Sequence, residues 1–312
     1  MSQRPLISVC LITYNHEKYI RKAIEGVLQQ QTEFSFELII AEDCSTDNTR
    51  KIVQEYADKF PTTIRLILQQ KNVGPADNFI DLLKSANGKY VAYFEGDDYW
   101  TDYRKLQKQV EFLENHPEFV LVFHNVNIVS NEEKFINKIY PENRKKVIKF
   151  IDLVKGDYTK TCASVFRNDR DKLRPIFGKV IEPHDTSLYL LLLDGSSAYY
   201  FEDTMAAYRI HDGGIWSAKK KVYQLEYSIN FLKEMISYYK SYPEVKYFKQ
   251  QLNSVYIGLA SEYYSVRNYR DWFKYTIKCI SSPTWTNKKI YFDSVKSWIR
   301  NFRFRGAYAA KN

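Results

Sequence analysis

Three carboxylates fall within four residues at Glu95-Gly96-Asp97-Asp98, directly after the apolar run from Lys89 to Phe94. Like charges that close repel one another, and a hard divalent cation among them relieves the repulsion. Mg2+ and Mn2+ take oxygen ligands, commonly one or two carboxylates completed by substrate phosphate and water. Gly96 lets the backbone turn tightly between the acids. The segment therefore reads as a site for Mn2+ or Mg2+ with a phosphorylated ligand, against the plainer alternative of an acidic loop that solvates a sheet edge. Two later segments also carry reactive groups. In Glu182-Pro183-His184-Asp185-Thr186, just ahead of an apolar helix, Asp185 is on its residues alone either a helix N-cap or a general base, with His184 and Glu182 as substitutes. The stretch from Tyr208 to Ser217 combines a strand end, His211, the pair Gly213-Gly214 and Trp216.

These groups need elements to hold them. The first third of the chain alternates short β-rich runs with helical patterns, as βαβ units do. Leu6 to Ile12, Phe36 to Ala41, Ile64 to Leu68 and Lys89 to Phe94 are predicted strands. His16 to Gln30, Thr46 to Phe60 and Ala76 to Ala86 are the helices between them. Each strand runs into polar residues: Thr13-Tyr14-Asn15, Glu42-Asp43, Gln69 to Asn72, and Glu95 to Asp98. Ligands of open α/β sheets bind beyond the carboxyl ends of strands, so these four ends should meet in one crevice. A helix from Tyr103 to Asn115 and a strand from Phe119 to Val129 follow. The polar stretch Ser130 to Lys149 reads as an insertion or mobile loop. A helix over Thr186 to Leu193 and a strand near Met205 to Ile210 complete this part. Beyond Ala218 the pattern is wholly helical, around Val222 to Tyr239, Phe248 to Tyr264 and Tyr269 to Ile280, with Arg267-Asn268-Tyr269 forming an αα-hairpin.

The 312 residues suffice for a large α/β domain and an appendage. A net charge of +9 favours an anionic partner: nucleic acid, an acidic bilayer or a phosphorylated small molecule. The four cysteines are far apart and lack zinc spacing, so they read as reduced thiols. No signal peptide or membrane-spanning run is evident, and the expected location is cytoplasmic, extending to the inner face of the cell membrane.

ISVCLITYNHEKYIRKAIEGVLQQ, ELIIAEDCSTDNT, NVGPADNF and YFEGDDYW, in that order, resemble the successive motifs of family 2 glycosyltransferases of the GT-A fold. The resemblance covers about Leu6 to Ser217. It implies an α/β, GT-A-like nucleotide-binding fold with a mostly parallel central sheet over residues 1–217, followed by an all-helical C-terminal region over residues 218–312. It also implies a nucleoside-diphosphate sugar in the crevice, a UDP-sugar by default. Thr13, Tyr14 and Asn15 would line the nucleotide, Asp43 would hold base or ribose with Glu42 beside it, and Asn72, Gly74 and Asn78 would complete the pocket. Asp97 would be the principal ligand of Mn2+ or Mg2+ and the diphosphate, supported by Asp98, with Glu95 and Gly96 beside the donor. The family often has aspartate where this chain has Glu95, whose longer arm would reach ribose or a bridging water. The resemblance further implies Asp185 as the base, His211 as a metal or diphosphate ligand, and His184 and Trp216 at the acceptor.

The reaction so implied is a single inverting displacement in which an acceptor hydroxyl, on a glycan or lipid-linked acceptor, attacks the anomeric carbon as a nucleoside diphosphate leaves. Surface polysaccharide synthesis is its expected setting. A nucleotidyltransferase is the nearest rival, but TYNHEKYIRKAI lacks a glycine-rich phosphate loop. A basic nucleic-acid-binding module would leave the carboxylate turn and Asp185 without a purpose, so no nucleic-acid partner is expected. From Lys288 onward, aromatic residues approximate one helical face flanked by Lys and Arg, which suggests peripheral contact with anionic membrane.

Overall fold

The computed structural model describes residues 4–139, 144–156, 159–182, 184–214 and 219–281. The chain divides into two compact units, Met1–Ala218 and Lys219–Asn312. Trp216 and the segment from Lys288 onward, both named above, lie outside the described residues.

The first unit is a sheet flanked by helices. Its opening run is β1 (Ile7–Thr13), α1 (Ile20–Leu28), β2 (Phe36–Glu42), α2 (Thr49–Lys59), β3 (Ile64–Leu68), α3 (Pro75–Ser85) and β4 (Tyr90–Glu95). β1 pairs in parallel with β2 on one side and β4 on the other, and β2 with β3. A strand in such a position is covered on both faces, which is why β1 is a continuous apolar run. On α1, Ile20, Ala23, Ile24 and Val27 are buried, the i, i+3, i+4, i+7 stripe expected for a helix laid on a sheet. α1 also packs close at Gly26, where a Cβ would lie 3.1 Å from the carbonyl oxygen of Trp100.

The second half of the sheet is mixed. It contains β5 (Tyr99–Trp100), α4 (Lys105–Asn115), β6 (Phe119–Val129), β7 (Phe135–Lys138), β8 (Val147–Lys149), α5 (Phe150–Val154), β9 (Val165–Arg167), α6 (Arg174–Phe177), α7 (Asp185–Leu193) and β10 (Ser197–Arg209). The strand order is β3-β2-β1-β4-β9-β6-β10-β5, with β7 on β6 and β8 on β10. β9 lies antiparallel between β4 and β6, while β6 and β10 form a long parallel pair. Most paired positions thus belong to parallel ladders, as the sequence led us to expect.

Two expectations need correction. Ser130 to Lys149 is not simply a loop, because it contains β7 and β8. Its polar residues disguise strands whose partners, β6 and β10, supply backbone hydrogen bonds that a pattern search does not see. The strand near Met205 to Ile210 is the end of a 13-residue strand that begins at Ser197. Register shifts around Phe201 and Thr204 break its alternation, so only the last turn-free stretch looked like a strand.

The second unit consists of α8 (Lys221–Tyr238), α9 (Val245–Ser265) and α10 (Tyr269–Ile280). Leu259, Trp272, Tyr275 and Cys279 are central to its buried cluster. Arg267 takes a left-handed φ of 60° to reverse the chain, and the Asn268 side chain accepts the Asp271 N–H to start α10. Among the described residues, no helix is long and apolar enough to cross a membrane.

Candidate active site

Parallel pairing brings the carboxyl ends of β1, β2 and β4 side by side: Thr13 lies opposite Glu42, and Ile12 opposite Glu95. The chain after β4 then folds back over β1 as the Gly96 N–H donates to the Ile12 carbonyl at 2.9 Å. Gly96 is needed there. A Cβ on it would stand 2.9 Å from both Thr13 Oγ1 and Ile20 Cδ1, and 3.0 Å from His16 Nδ1.

The three carboxylates of this turn have different surroundings. Asp97 Oδ2 is 3.1 Å from His211 Nε2 and 3.9 Å from His16 Nε2. Burial pushes the Asp97 pKa up, but the His211 hydrogen bond and the nearby His16 outweigh it and leave the carboxyl below its ordinary value. Asp98 turns toward β10, where Oδ1 accepts the Arg209 N–H at 2.9 Å. Its Oδ2 is buried and, among the described residues, meets no N–H or O–H donor; the Cys162 thiol is its neighbour, and burial together with the charges of Asp97 and Glu95 drives its pKa well above the usual range. Glu95 accepts hydrogen bonds from the Thr161 and Tyr93 hydroxyls, yet burial and then Asp97 push it up to about 7. The surroundings thus push the three acids apart, Asp97 toward its ionised form and Asp98 and Glu95 toward their neutral forms.

On the β2 side, Asp43 is buried and spends both carboxylate oxygens on backbone, accepting Val73 N–H at 2.7 Å and Gly74 N–H at 3.0 Å. Burial still raises its pKa despite those bonds. Asn72 donates to the Asp43 carbonyl at 3.1 Å. Gly74, with φ 86°, makes the left-handed entry to α3 ahead of Pro75. Asn78 is buried and donates to the Ala41 carbonyl at 3.0 Å. Asp43, Asn72, Gly74 and Asn78 therefore belong to one wall. Glu42 is fully buried beneath it, accepting the Ser45 N–H at 2.6 Å and the Arg50 guanidinium. Asn15, at φ 55°, ties the β1 end to this wall by accepting Thr46 N–H at 2.8 Å, while the Tyr14 ring is exposed.

Asp185 begins α7 but does not cap it. His184 is the N-cap, its Nδ1 accepting the Thr186 N–H at 3.1 Å. The Asp185 carboxylate accepts the same N–H at 2.6 Å, lies 3.3 Å from His184 Nδ1, and is 41% exposed. Burial of the site raises its pKa, but with Nδ1 protonated, and so facing the carboxylate instead of accepting the Thr186 N–H, the hydrogen bond and charge of His184 overcome this and set it below the ordinary value. The Asp185 charge also registers on Glu95, Tyr93 and Tyr189, which ties α7 to the carboxylate turn.

Among the described residues, no group of three or more His, Cys, Asp and Glu side chains is arranged to hold a metal ion by itself. Asp97 and His211 bring one carboxylate and one imidazole together. Several participants had escaped the sequence reading. Thr161, Arg50 and Tyr19 carry no local signal, and Arg209 looked like the end of a strand. His16, three residues after Thr13 and 3.2 Å from its hydroxyl, was legible as a histidine beyond a strand end. A surface cavity of about 690 Å³ lies at the opposite ends of the strands beside Arg4, Ser35, Gly88 and Arg170. It holds none of these groups.

Residues 8–174 match the family described as Glycosyl transferase family 2. The uncharacterized protein Rv1520 of Mycobacterium tuberculosis is 38% identical over 213 residues, 67% of this chain and 60% of that protein. The chain thus spans about three fifths of the length of that relative. The putative teichuronic acid biosynthesis glycosyltransferase TuaG of Bacillus subtilis is 31% identical over 243 residues, 74% of this chain and 92% of TuaG. Among solved structures, S. aureus TarS 1–349 in complex with UDP-GlcNAc superposes with a TM-score of 0.63 at 18% identity, covering 88% of this chain and 81% of that one. It shares the fold.

Proposed function

The chain belongs to glycosyltransferase family 2, and from that premise we propose that it transfers a sugar from a nucleoside-diphosphate donor to a hydroxyl of a glycan or lipid-linked acceptor, with inversion, in cell-surface polysaccharide assembly. The observation that supports the reading is a pair of histidine-partnered carboxylates held below their ordinary pKa, Asp97 beside His211 at the turn after β4 and Asp185 beside His184 at the start of α7, whose charge acts on Glu95 of the same turn. UDP is the default nucleotide, and the UDP-GlcNAc bound by TarS supports it.

In this reading the wall of Asp43, Asn72, Gly74 and Asn78 receives the nucleoside, with Thr13, Tyr14 and Asn15 closing its β1 side. Asp43 acts mainly by shaping, since both its oxygens already hold the backbone of Val73 and Gly74. Asp97 and His211 would hold the divalent cation, which when bound neutralises charge on the diphosphate. Asp98 is better suited to fixing the turn through the Arg209 N–H than to ligation. Asp185 accepts the proton of the acceptor hydroxyl. Its lowered pKa keeps it ionised at neutral pH, and its partial exposure lets an acceptor approach. His184 orients it and Trp216 is assigned to the acceptor side.

Thermal stabilisation by a panel of nucleoside-diphosphate sugars, with and without Mn2+, tests the proposal. A Mn2+-dependent rise in melting temperature with one nucleotide class is expected. Indifference to every member of the panel would sink the donor assignment.

A further inference from the structure

The turn after β6 is tied into the candidate site by one buried arginine. Ser130–Lys134 is closed by hydrogen bonds from Ser130 N–H to the Lys134 carbonyl (2.9 Å) and from Glu133 N–H to the Ser130 carbonyl (3.0 Å). Glu133 takes a left-handed φ of 62°, a region that residues with a Cβ seldom enter, so something must hold it there. Its carboxylate accepts Arg209 Nη2 at 3.1 Å, while Arg209 Nη1 donates to the Asn131 carbonyl at 3.2 Å. The third donor of the same guanidinium, Nε, reaches the Asp97 carbonyl at 3.0 Å, and the Arg209 backbone N–H holds Asp98 Oδ1 at 2.9 Å. One residue therefore grips the Asp97-Asp98 peptide from both sides, two positions before His211.

Aromatic rings complete the clamp. The guanidinium lies 4.8 Å from the Tyr19 ring centre and 5.3 Å from that of Tyr99. Tyr19 in turn donates to Asn131 Oδ1 at 2.7 Å and stands 4.7 Å from the His211 ring. The Arg209 side chain is 2% exposed, and among the described residues Glu133 is the carboxylate paired with it. A buried cation that loses its one counter-charge must move or draw in water, and here it would take the Asp97 carbonyl with it.

We propose that Glu133 and Arg209 are positioning residues that hold Asp97 and His211 in register for cation and diphosphate, so that the turn Ser130–Lys134 is part of the donor site. The proposal rests on the functional reading above for what is bound, and on contacts within this chain for what is held.

The test uses the full chain, with UDP and Mn2+ as probes. Glu133→Gln removes the charge but keeps the shape. Lys22→Met removes the other cation on Glu133, a surface pair expected to matter little. Calorimetry should show Mn2+-dependent UDP affinity falling at least about 10-fold in Glu133→Gln, as for loss of partners that orient metal ligands, with partial recovery in Glu133→Asp. Hydrogen exchange without nucleotide should quicken several-fold over residues 96–99 in Glu133→Gln and stay unchanged in β1 and β2. Lys22→Met should remain within about twofold of the parent on both measures. Parent-like affinity in Glu133→Gln, or an equal loss in Lys22→Met, overturns the proposal by reducing the turn to a structural brace. If the parent protein itself binds no UDP with Mn2+, the donor assignment is what fails. The exchange measurement then decides alone, and unaltered protection over residues 96–99 in Glu133→Gln overturns the pair.

Discussion

In the proposed reaction Asp97 serves the donor side and Asp185 the acceptor side, each beside its own histidine. Asp97→Asn removes the carboxylate that pairs with His211, so turnover should fall by at least about 100-fold together with Mn2+-dependent nucleotide binding, the size expected when several kcal/mol of charge stabilisation are lost. Near-parental turnover of the purified, folded variant would refute that role. Asp185→Asn should lose about 100- to 10,000-fold in turnover while donor affinity stays, because a base acts on the acceptor. Should donor affinity fall in parallel with turnover, Asp185 serves only to build the start of α7 with His184. That start was ambiguous in the sequence, where Asp185 had the residue type of an N-cap. The fold gives the cap to His184 and leaves Asp185 partly exposed.

At the scale of elements, α4 carries a lysine that the chemistry does not use. Lys105 is fully buried, donates to Gln109 Oε1 at 2.8 Å and lies 4.1 Å from the Trp100 ring centre, with Asp102 and the Cys162 thiol nearby. Burial lowers its pKa to about 7, whereas an unfolded lysine titrates near ~10.4. Between those values the unfolded chain binds the extra proton, so this group makes folding more favourable as pH rises from about 7 to about 10. Chemical denaturation of the parent and of Lys105→Met across that range should show the parent gaining stability relative to the variant. Parallel curves would show that Lys105 is solvated or charged in the fold. The amphipathic stripe of α1 and the apolar run of β1 were legible because each repeats over many residues. β5, β8 and β9 were not, being two or three residues long and defined by partners distant in sequence.

For the whole molecule, every described residue assigned a role at the site lies in the first unit. A chain ending at residue 218 is expected to keep Mn2+-dependent UDP affinity within about threefold of the parent, since binding is set by local pocket groups. A soluble, folded truncation that has lost this binding would make the helical unit part of the donor site. The net charge of +9 comes from the second unit, where residues 219–312 hold 18 Lys and Arg against 6 Asp and Glu while residues 1–218 hold 28 against 31, and by itself it only favours anionic partners.

The order of four motifs, the alternation of strands and helices, and the clustering of Glu95, Asp97 and Asp98 are local patterns, so the amino-acid sequence alone determined the family, the fold class and the end of the sheet where chemistry belongs. Tertiary structure decided what surrounds each acid. Burial and neighbours from remote elements leave Asp97 ionised beside His211, drive Asp98 toward its neutral form against β10, and raise Glu95 beside Thr161. It also brought in Arg209 and Glu133, residues 76 apart in the chain, because a parallel pairing of β6 with β10 ends both strands at the same level. Proton affinity and through-space contact depend on distances that sequence spacing does not encode, which is why the candidate site could be named from the sequence and the surroundings of each acid could not.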